Sequence, residues 1–142
     1  MTTSTQPELT ELNSSSSIPP SILIVDDDPA FVATMERNFR PYKVELKRAY
    51  HGMQGIMNAV TNPPDLIITD LQMPLTSGEE MIDCISRNPV THATPIIITT
   101  GRTSAKLTHR LRCLGVVAVL NKPFQFSELL QAISNVHPLE KK

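Results

Sequence analysis

Hydrophobic residues cluster in short uninterrupted runs along this chain, and each run ends at a polar side chain. Four such runs occupy residues 22–25, 66–68, 96–98 and 116–120. Runs without polar alternation are typical of strands that are buried on both faces of a parallel sheet. A fifth segment, 44–47, alternates apolar with polar residues, which predicts a half-exposed strand at the edge of that sheet.

Segments with the period of a helix separate these runs. Asp28 and Pro29 suit the N-cap and first turn of the first helix, and residues 52–61 form the second. The spacing of Ser77 and Glu80 predicts a capping box at the start of the third helix. Apolar stripes mark the first, fourth and fifth helices, the last running through Val136: Phe31, Met35 and Phe39; Leu107, Leu111 and Leu114; Phe126, Leu129, Leu130, Ile133 and Val136.

Strict alternation of strands and helices predicts an α/β fold, a doubly wound (βα)5 unit with a five-stranded parallel sheet covered by helices on both faces. In such a sheet ligands bind outside the carboxyl ends of the strands, which all lie at one edge. The polar residues that end the apolar runs should therefore converge there: Asp26, Asp27, Asp70, Thr100 and Lys122. Carboxylates, a hydroxyl and an ammonium group in one place suit a metal ion and a phosphoryl group.

Bulk composition limits the function classes. The chain has 142 residues, 40% of them hydrophobic, and a net charge of -1, which predicts one globular domain without general affinity for nucleic acid. Residues 1–20, rich in Ser, Thr and Pro, are expected to form a flexible tail before a domain at 21–138 and a C-terminal tail at 139–142. Neither a membrane span nor a secretory signal is predicted. Cys84 and Cys113 lack metal spacing and are expected to be reduced, partly buried thiols of a cytoplasmic protein.

Several motifs occur in a fixed order between about Ser21 and Pro138. They are Ile-Val-Asp-Asp-Asp at 24–28, Thr-Asp-Leu-Gln-Met-Pro at 69–74, Gly78 eight residues after Asp70, Thr100-Gly101, and Lys122-Pro123-Phe124. With these motifs the chain resembles the receiver domains of two-component response regulators, the CheY-like family. The resemblance implies a flavodoxin-like sheet with strand order 2-1-3-4-5, which agrees with an edge strand at 44–47.

The resemblance also implies a phosphorylation site with a metal ion. Asp70 matches the phosphoacceptor, and Asp26 and Asp27 match an acidic pair that binds Mg²⁺ (or Mn²⁺), Asp27 directly and Asp26 directly or through water. Asp70 itself and the backbone carbonyl of Gln72 would complete the protein ligands. Like charges about 4 Å apart repel by roughly 4 kcal/mol at an effective dielectric constant of about 20, so clustered carboxylates need a cation. Asp28 is assigned to the helix cap instead.

Three further residues match the groups that contact the phosphoryl oxygens. Lys122 supplies an ammonium group, Thr100 the switch hydroxyl and Gly101 a backbone N–H. A cis peptide bond is expected between Lys122 and Pro123, as is usual in the family. Thr99 also ends its strand, but the register of the strand ends favours Thr100. Val119 stands where many receivers have Tyr or Phe, so readout is expected to depend on the loop at 100–104 and on the fourth helix.

The implied function is that of a phosphorylation switch and not of a turnover enzyme. A sensor histidine kinase or a phosphotransfer protein would supply the phosphoryl group to Asp70. The face formed by the fourth helix and fifth strand, which carries Lys106, His109, Arg110 and Arg112, would meet an output domain, a downstream protein or a second copy. An alternative is an interaction module that works without phosphorylation. An aspartyl phosphatase is disfavoured, because Gln72 lacks the proton that the general acid of such enzymes donates.

Overall fold

The strands and helices alternate along the chain as the sequence predicts. The computed structural model describes residues 18–73 and 77–142, so residues 1–17 of the predicted N-terminal tail, and Pro74 of the 69–74 motif, lie outside the described residues. The strands are β1 (Ser21–Val25), β2 (Glu45–Ala49), β3 (Leu66–Thr69), β4 (Ile96–Thr100) and β5 (Val116–Asn121). The helices are α1 (Pro29–Phe39), α2 (Gly52–Thr61), α3 (Gly78–Arg87), α4 (Ala105–Cys113) and α5 (Phe126–Ser134).

All five strands are parallel and lie in the order β2-β1-β3-β4-β5. This confirms the predicted fold class and the position of β2 at one edge. Val25 pairs with Ala49 on one side and Thr69 on the other, and Thr69 pairs with Ile98. Adjacent strands therefore end at nearly the same level, which brings the residues that follow them together.

The three central strands separate two hydrophobic cores. Every residue of β1, β3 and β4 is buried, as expected for strands covered on both faces. Alternate residues point to opposite sides, so β1 divides its side chains between the cores. One core joins the sheet to α1 and α5 through Val32, Met35, Phe39, Leu129 and Ile133. The other joins it to α2, α3 and α4 through Ala59, Met81, Ile82, Ile85 and Leu111.

Strand β5 departs from the sequence prediction. Its apolar run predicts burial on both faces, but only Val116 is buried and Val117 is 43% exposed. The prediction is wrong because β5 pairs with β4 alone and forms the second edge of the sheet. An apolar run cannot by itself distinguish a central strand from an edge strand.

Local capping determines where the helices begin and end. The Asp28 carboxylate accepts a hydrogen bond from the Ala30 N–H (3.0 Å), and Ser77 and Glu80 form the reciprocal capping box, so both predictions are confirmed. Helix α5 ends at Ser134, two residues before its predicted end, and Val136 is 38% exposed. The N–H of His137 bonds the Ile133 carbonyl (2.7 Å), closing the chain into a turn before Pro138.

Both cysteines are free and exposed, so the expectation of partial burial is wrong. Cys84 lies between the buried residues Ile82 and Ile85 but on the outer surface of α3, and Cys113 lies in the last turn of α4. Proximity in sequence to core residues does not bury a helical side chain, because successive residues are about 100° apart around the axis.

None of the helices within residues 18–73 and 77–142 is both long and apolar enough to cross a membrane.

The segment 139–142, assigned by sequence to a C-terminal tail, contacts the loop that precedes β2. Tyr42 and Lys141 form an antiparallel bridge, and the Lys43 N–H donates to the Glu140 carbonyl (2.7 Å). Leu139 packs against the core formed with α1 and α5. These contacts lie at the start of β2, so they are at the end of the sheet opposite to the strand-end residues.

Candidate functional site

Backbone hydrogen bonds between strands fix the residues at the carboxyl edge of the sheet. The Asp26 N–H donates to the Ala49 carbonyl (3.0 Å), and the Asp70 N–H donates to the Val25 carbonyl (3.0 Å). The Lys122 N–H donates to the Thr100 carbonyl (2.8 Å). The strand ladder thus extends one residue past β1, β3 and β5 and holds these residues in register.

Three carboxylates form a cluster at this edge. Asp26, Asp27 and Asp70 each present an oxygen, and these oxygens all lie within 4.8 Å of one another. Asp26 is 1% exposed and Asp70 8%, whereas Asp27 is exposed to solvent. Hard carboxylate oxygens at this separation fit a small divalent cation such as Mg²⁺, which keeps water in the rest of its shell. The residues predicted from the sequence as carboxylate ligands are therefore brought together.

Burial governs the protonation of Asp26. Loss of solvation raises the pKa of its carboxyl group above the ordinary value, because burial penalises the charged form. Hydrogen bonds from the Lys122 ammonium and from the Asp28 N–H (2.9 Å) act in the opposite direction, and the neighbouring Asp70 adds to the increase. Burial therefore outweighs these partners, and the Asp26 carboxyl group holds its proton more tightly than an exposed aspartate does.

The two oxygens of Asp70 have different surroundings. Oδ1 accepts hydrogen bonds from the Leu71 N–H (2.7 Å) and the Gln72 N–H (3.2 Å). Oδ2 lies 3.5 Å from Lys122 Nζ. One oxygen is therefore oriented by the backbone while the other faces a cation, an arrangement suited to nucleophilic attack by Oδ2. Gln72 lies beside this carboxylate, and its proposed role as a carbonyl ligand stays a prediction.

Lys122 connects the acidic cluster to a helix that sequence reasoning did not assign to the site. Its ammonium nitrogen lies 2.6 Å from Asp26 Oδ2 and 4.2 Å from the centre of the Phe31 ring. Phe31 in turn meets Phe124 edge to face, with ring centres 6.2 Å apart. The sequence places Phe31 in the core-facing stripe of α1, and nothing in that stripe distinguishes a cation–π partner from a core residue. The peptide bond between Lys122 and Pro123 is cis, as predicted.

Thr99 and Thr100 end β4 with both side chains buried. Thr100 Oγ1 accepts a hydrogen bond from the Arg102 N–H (3.3 Å), so the predicted switch hydroxyl contacts the loop that follows it. A Cβ atom built on Gly101 would meet no atom within 4 Å, so space remains beside its backbone. Thr99 Oγ1 has no hydrogen-bond partner among the described residues.

Gly78 has a steric role that its spacing from Asp70 does not explain. A Cβ atom at this position would lie 2.6 Å from Leu71 Cα and closer still to the Asp70 carbonyl oxygen. The Gly78 N–H donates to the Leu71 carbonyl (3.0 Å). The first turn of α3 therefore packs directly on the backbone of the phosphoacceptor candidate, which only glycine permits.

The face formed by α4 and β5 is open to solvent. Lys106, His109, Arg110 and Arg112 are all exposed, as predicted for this helix. Arg110 also forms an ion pair with Glu79 of α3 at 2.9 Å. Val119, at the position of the usual aromatic residue, is half-buried against the same core as Leu107 and Leu114.

Comparisons with known proteins agree on one family. The model of the response regulator receiver domain matches residues 22–134. The chain is 30% identical over 122 residues to hybrid signal transduction histidine kinase D of Dictyostelium discoideum, covering 86% of this chain and 8% of that protein. It is 29% identical over 116 residues to transcriptional regulatory protein PrrA of Mycobacterium tuberculosis, covering 80% of this chain and 48% of that protein. The chain thus spans less than half the length of these curated relatives.

Solved structures agree on the fold. Chemotaxis protein CheY4 of Vibrio cholerae has a TM-score of 0.77 at 25% identity, covering 83% of this chain and 98% of that one. A putative response regulator from Chloroflexus aurantiacus has a TM-score of 0.76 at 28% identity, covering 83% of this chain and 97% of that one. The relation extends over the whole sheet and its helices.

Proposed function

The chain belongs to the response regulator receiver domain family of two-component systems, and we propose that Asp70 is the residue on which it carries a phosphoryl group. Receiver domains are phosphoacceptors that interact with histidine kinases and output domains. The observation that carries the proposal is the position of Asp70 Oδ2, which lies 3.5 Å from Lys122 Nζ and belongs to the carboxylate cluster. A buried carboxylate with both an acidic cluster and an ammonium group beside it has little use in a passive scaffold.

The metal proposed for this site is Mg²⁺, with Mn²⁺ as a substitute. Asp26, Asp27 and Asp70 would hold it through their carboxylates, and Gln72 through its backbone carbonyl. The compact cluster of three oxygens supports this assignment. When bound, the ion supplies positive charge that stabilises the phosphoryl oxygens during transfer.

The proposed reaction is transfer from a phosphohistidine of a sensor kinase or a phosphotransfer protein. Asp70 Oδ2 attacks the phosphorus atom in line, the P–N bond breaks, and the electron pair of that bond remains on the imidazole, which takes up a proton. The product is an acyl phosphate. Lys122 then leaves Asp26 to contact a phosphoryl oxygen, and Thr100 Oγ1 and the Gly101 N–H contact the others.

Readout is proposed to follow from these same contacts. Movement of Thr100 towards the phosphoryl group would pull on the loop at 100–104, because Thr100 Oγ1 already bonds the Arg102 N–H. A change in that loop reaches α4 and favours one of two pre-existing conformations. The exposed basic side chains of α4 and the exposed Val117 of β5 support this face as the contact with an output domain, a downstream protein or a second copy. We propose no direct binding to nucleic acid or membranes. Exchange of a phosphoryl group with a kinase implies a cytoplasmic location.

Intact-mass measurement after incubation with acetyl phosphate and Mg²⁺ tests the proposal. The wild type should gain one labile phosphoryl group, and Asp70→Asn should gain none, because the amide is not a nucleophile for this transfer. A wild type that stays unmodified while retaining its fold would favour an interaction module that works without phosphorylation. Sustained release of phosphate from external esters would instead indicate a phosphatase, in conflict with a phosphoacceptor that is not a turnover enzyme.

A further inference from the structure

Thr99 carries a buried hydroxyl that the proposed function does not use. The residue is 1% exposed, and its Oγ1 has no hydrogen-bond partner among the described residues. Leaving a buried hydroxyl unpaired destabilises a fold, and native proteins contain few such groups. Violations of this kind are expected at functional or strained sites.

The strand register puts Thr99 on the same side of the sheet as the Lys122 side chain. Thr99 pairs with Leu120 across β4 and β5, and Leu120 packs in the core formed with α1 and α5. Lys122 follows Leu120 by two residues, and its ammonium group lies over Phe31 of α1, so it projects to that same side. Thr100, one residue after Thr99, points to the opposite side of the sheet.

The partners of Lys122 must change when Asp70 is phosphorylated. An ammonium group has three N–H donors, and here it faces Asp26 Oδ2 at 2.6 Å and Asp70 Oδ2 at 3.5 Å. The proposed transfer converts Asp70 Oδ2 into an acyl phosphate oxygen, and the proposed metal ion takes Asp26 as a ligand. Lys122 then gains one phosphoryl oxygen but loses two carboxylate partners, which leaves N–H donors that need an acceptor.

We propose that Thr99 is a positioning residue for phosphoryl transfer, whose hydroxyl accepts a hydrogen bond from Lys122 once the ammonium group leaves Asp26. This role rests on the proposed function of Asp70. The hydroxyl has no partner among the described residues before transfer and gains Lys122 afterwards, so it shifts the balance towards the phosphorylated conformation. Thr100 would then contact the phosphoryl group directly from one side of the sheet, and Thr99 would position Lys122 beside it from the other side.

The test compares Thr99→Val with Thr99→Ser. Valine keeps the shape of threonine without the hydroxyl, and serine keeps the hydroxyl. Two quantities are measured on the whole chain: the rate of adduct formation with acetyl phosphate and Mg²⁺, and the melting temperature with and without Mg²⁺ and beryllium fluoride, a phosphoryl analogue. Thr91→Val is the matched control, since Thr91 is equally buried but donates to the Ile85 carbonyl (2.8 Å) far from the strand-end site.

Thr99→Val should form the adduct about tenfold more slowly, the effect of losing a hydrogen bond to a charged group. Without ligand, Thr99→Val should melt at a higher temperature than the wild type. Its melting temperature should rise less than that of the wild type when Mg²⁺ and beryllium fluoride are added. Thr99→Ser should react within about twofold of the wild type, and Thr91→Val should react normally and melt lower in both states by the same amount. If valine at position 99 perturbs the fold, Thr99→Ala supplies the same comparison.

Thr99→Val reacting at the wild-type rate would overturn the role of Thr99, as would Thr99→Ser slowed as much as Thr99→Val. These outcomes differ from failure of the proposed function. In that case the wild type itself would form no adduct, and this result would contradict the assignments of both Asp70 and Thr99.

Discussion

The ammonium nitrogen of Lys122 lies 2.6 Å from the buried Oδ2 of Asp26 and 3.5 Å from Oδ2 of Asp70. The lysine is therefore bound most closely to a candidate metal ligand, not to the candidate phosphoacceptor. Its side chain is 24% exposed, so solvent screens this pair only in part. On the proposed metal assignment of Asp26, Lys122 and a divalent cation compete for the same carboxylate, and the first prediction follows from that competition.

Replacing Lys122 with Gln should strengthen Mg²⁺ binding while it slows phosphorylation. The substitution removes a positive charge beside the acidic cluster and frees Asp26, and charges at such distances interact by a few kcal/mol at an effective dielectric constant of about 20. We expect Mg²⁺ affinity to rise about tenfold in titration calorimetry. Lys106→Gln, on the exposed surface of α4, should leave the affinity within about twofold of the wild type. Weaker binding by Lys122→Gln would show that the two cations do not compete.

Asp26→Asn should stabilise the metal-free protein increasingly as the pH rises. Burial raises the pKa of Asp26 above its ordinary value of 3.8, so the folded state holds this proton more tightly than the unfolded state. Stability contributed by the protonated carboxyl is complete below the unfolded pKa and declines as the pH rises through the raised folded pKa. The difference in free energy of unfolding between variant and wild type should grow across that window and then level off.

Urea unfolding at a series of pH values without divalent cations measures this difference. Asp83→Asn, on the surface of α3 where Asp83 pairs with Arg87, is the control and should change stability by less than about 1 kcal/mol at every pH. A difference between Asp26→Asn and wild type that stays constant or shrinks with rising pH would contradict the prediction.

Gly78→Ala should distort the site, whereas Gly101→Ala should not. The new methyl group at position 78 would overlap the backbone of Asp70 and Leu71, while at position 101 it meets nothing within 4 Å. We expect Gly78→Ala to lower the free energy of unfolding by about 1–3 kcal/mol and to slow phosphorylation. Gly101→Ala should keep or slightly raise stability. Equal stabilities of the two variants in urea would argue against close packing of α3 on the Asp70 backbone.

Substitutions at Asp27 and Asp28 should have different effects, because Asp27 is the proposed metal ligand and Asp28 caps α1. Asp28 accepts from the Ala30 N–H at the start of α1, and asparagine performs the same capping role. Asp28→Asn should therefore retain the stability of the wild type and weaken Mg²⁺ binding by less than about threefold. Asp27→Asn removes a charge from the carboxylate cluster and should weaken binding more than about tenfold. Similar losses in both variants, measured by calorimetry, would assign Asp28 to the metal site as well.

The sequence pattern was sufficient for the alternation of strands and helices, whereas the strand order came from the resemblance to receiver domains. Apolar runs at 22–25, 66–68 and 96–98 predicted strands buried on both faces, and these three strands are central in the sheet. Asp28 and the pair of Ser77 and Glu80 predicted helix starts correctly, since caps act over three residues or fewer. These features are local, so they can be read without knowing what the segment contacts.

Other features depend on neighbours that the sequence does not reveal. Val117 lies in an apolar run typical of a core strand, but it is exposed because β5 has a single neighbouring strand. The exposure of Cys84 depends on which side of α3 faces the sheet. Phe31 becomes a partner of Lys122 only because α1 packs beside the end of β5. Burial and contact in these cases are properties of packing, not of hydrophobic pattern.

By itself the sequence determined that three carboxylates, the hydroxyl of Thr100 and a lysine would meet at one edge of a parallel sheet. Only the tertiary structure decided how the side chains at this edge pair. Lys122 lies closer to Asp26, 96 positions away, than to Asp70, and the Thr99 hydroxyl has no partner within residues 18–73 and 77–142. The physical reason is range. Strand ends are set by local pattern and backbone register, whereas each ion pair and each unsatisfied hydroxyl is set by differences of an ångström among side chains from distant parts of the chain.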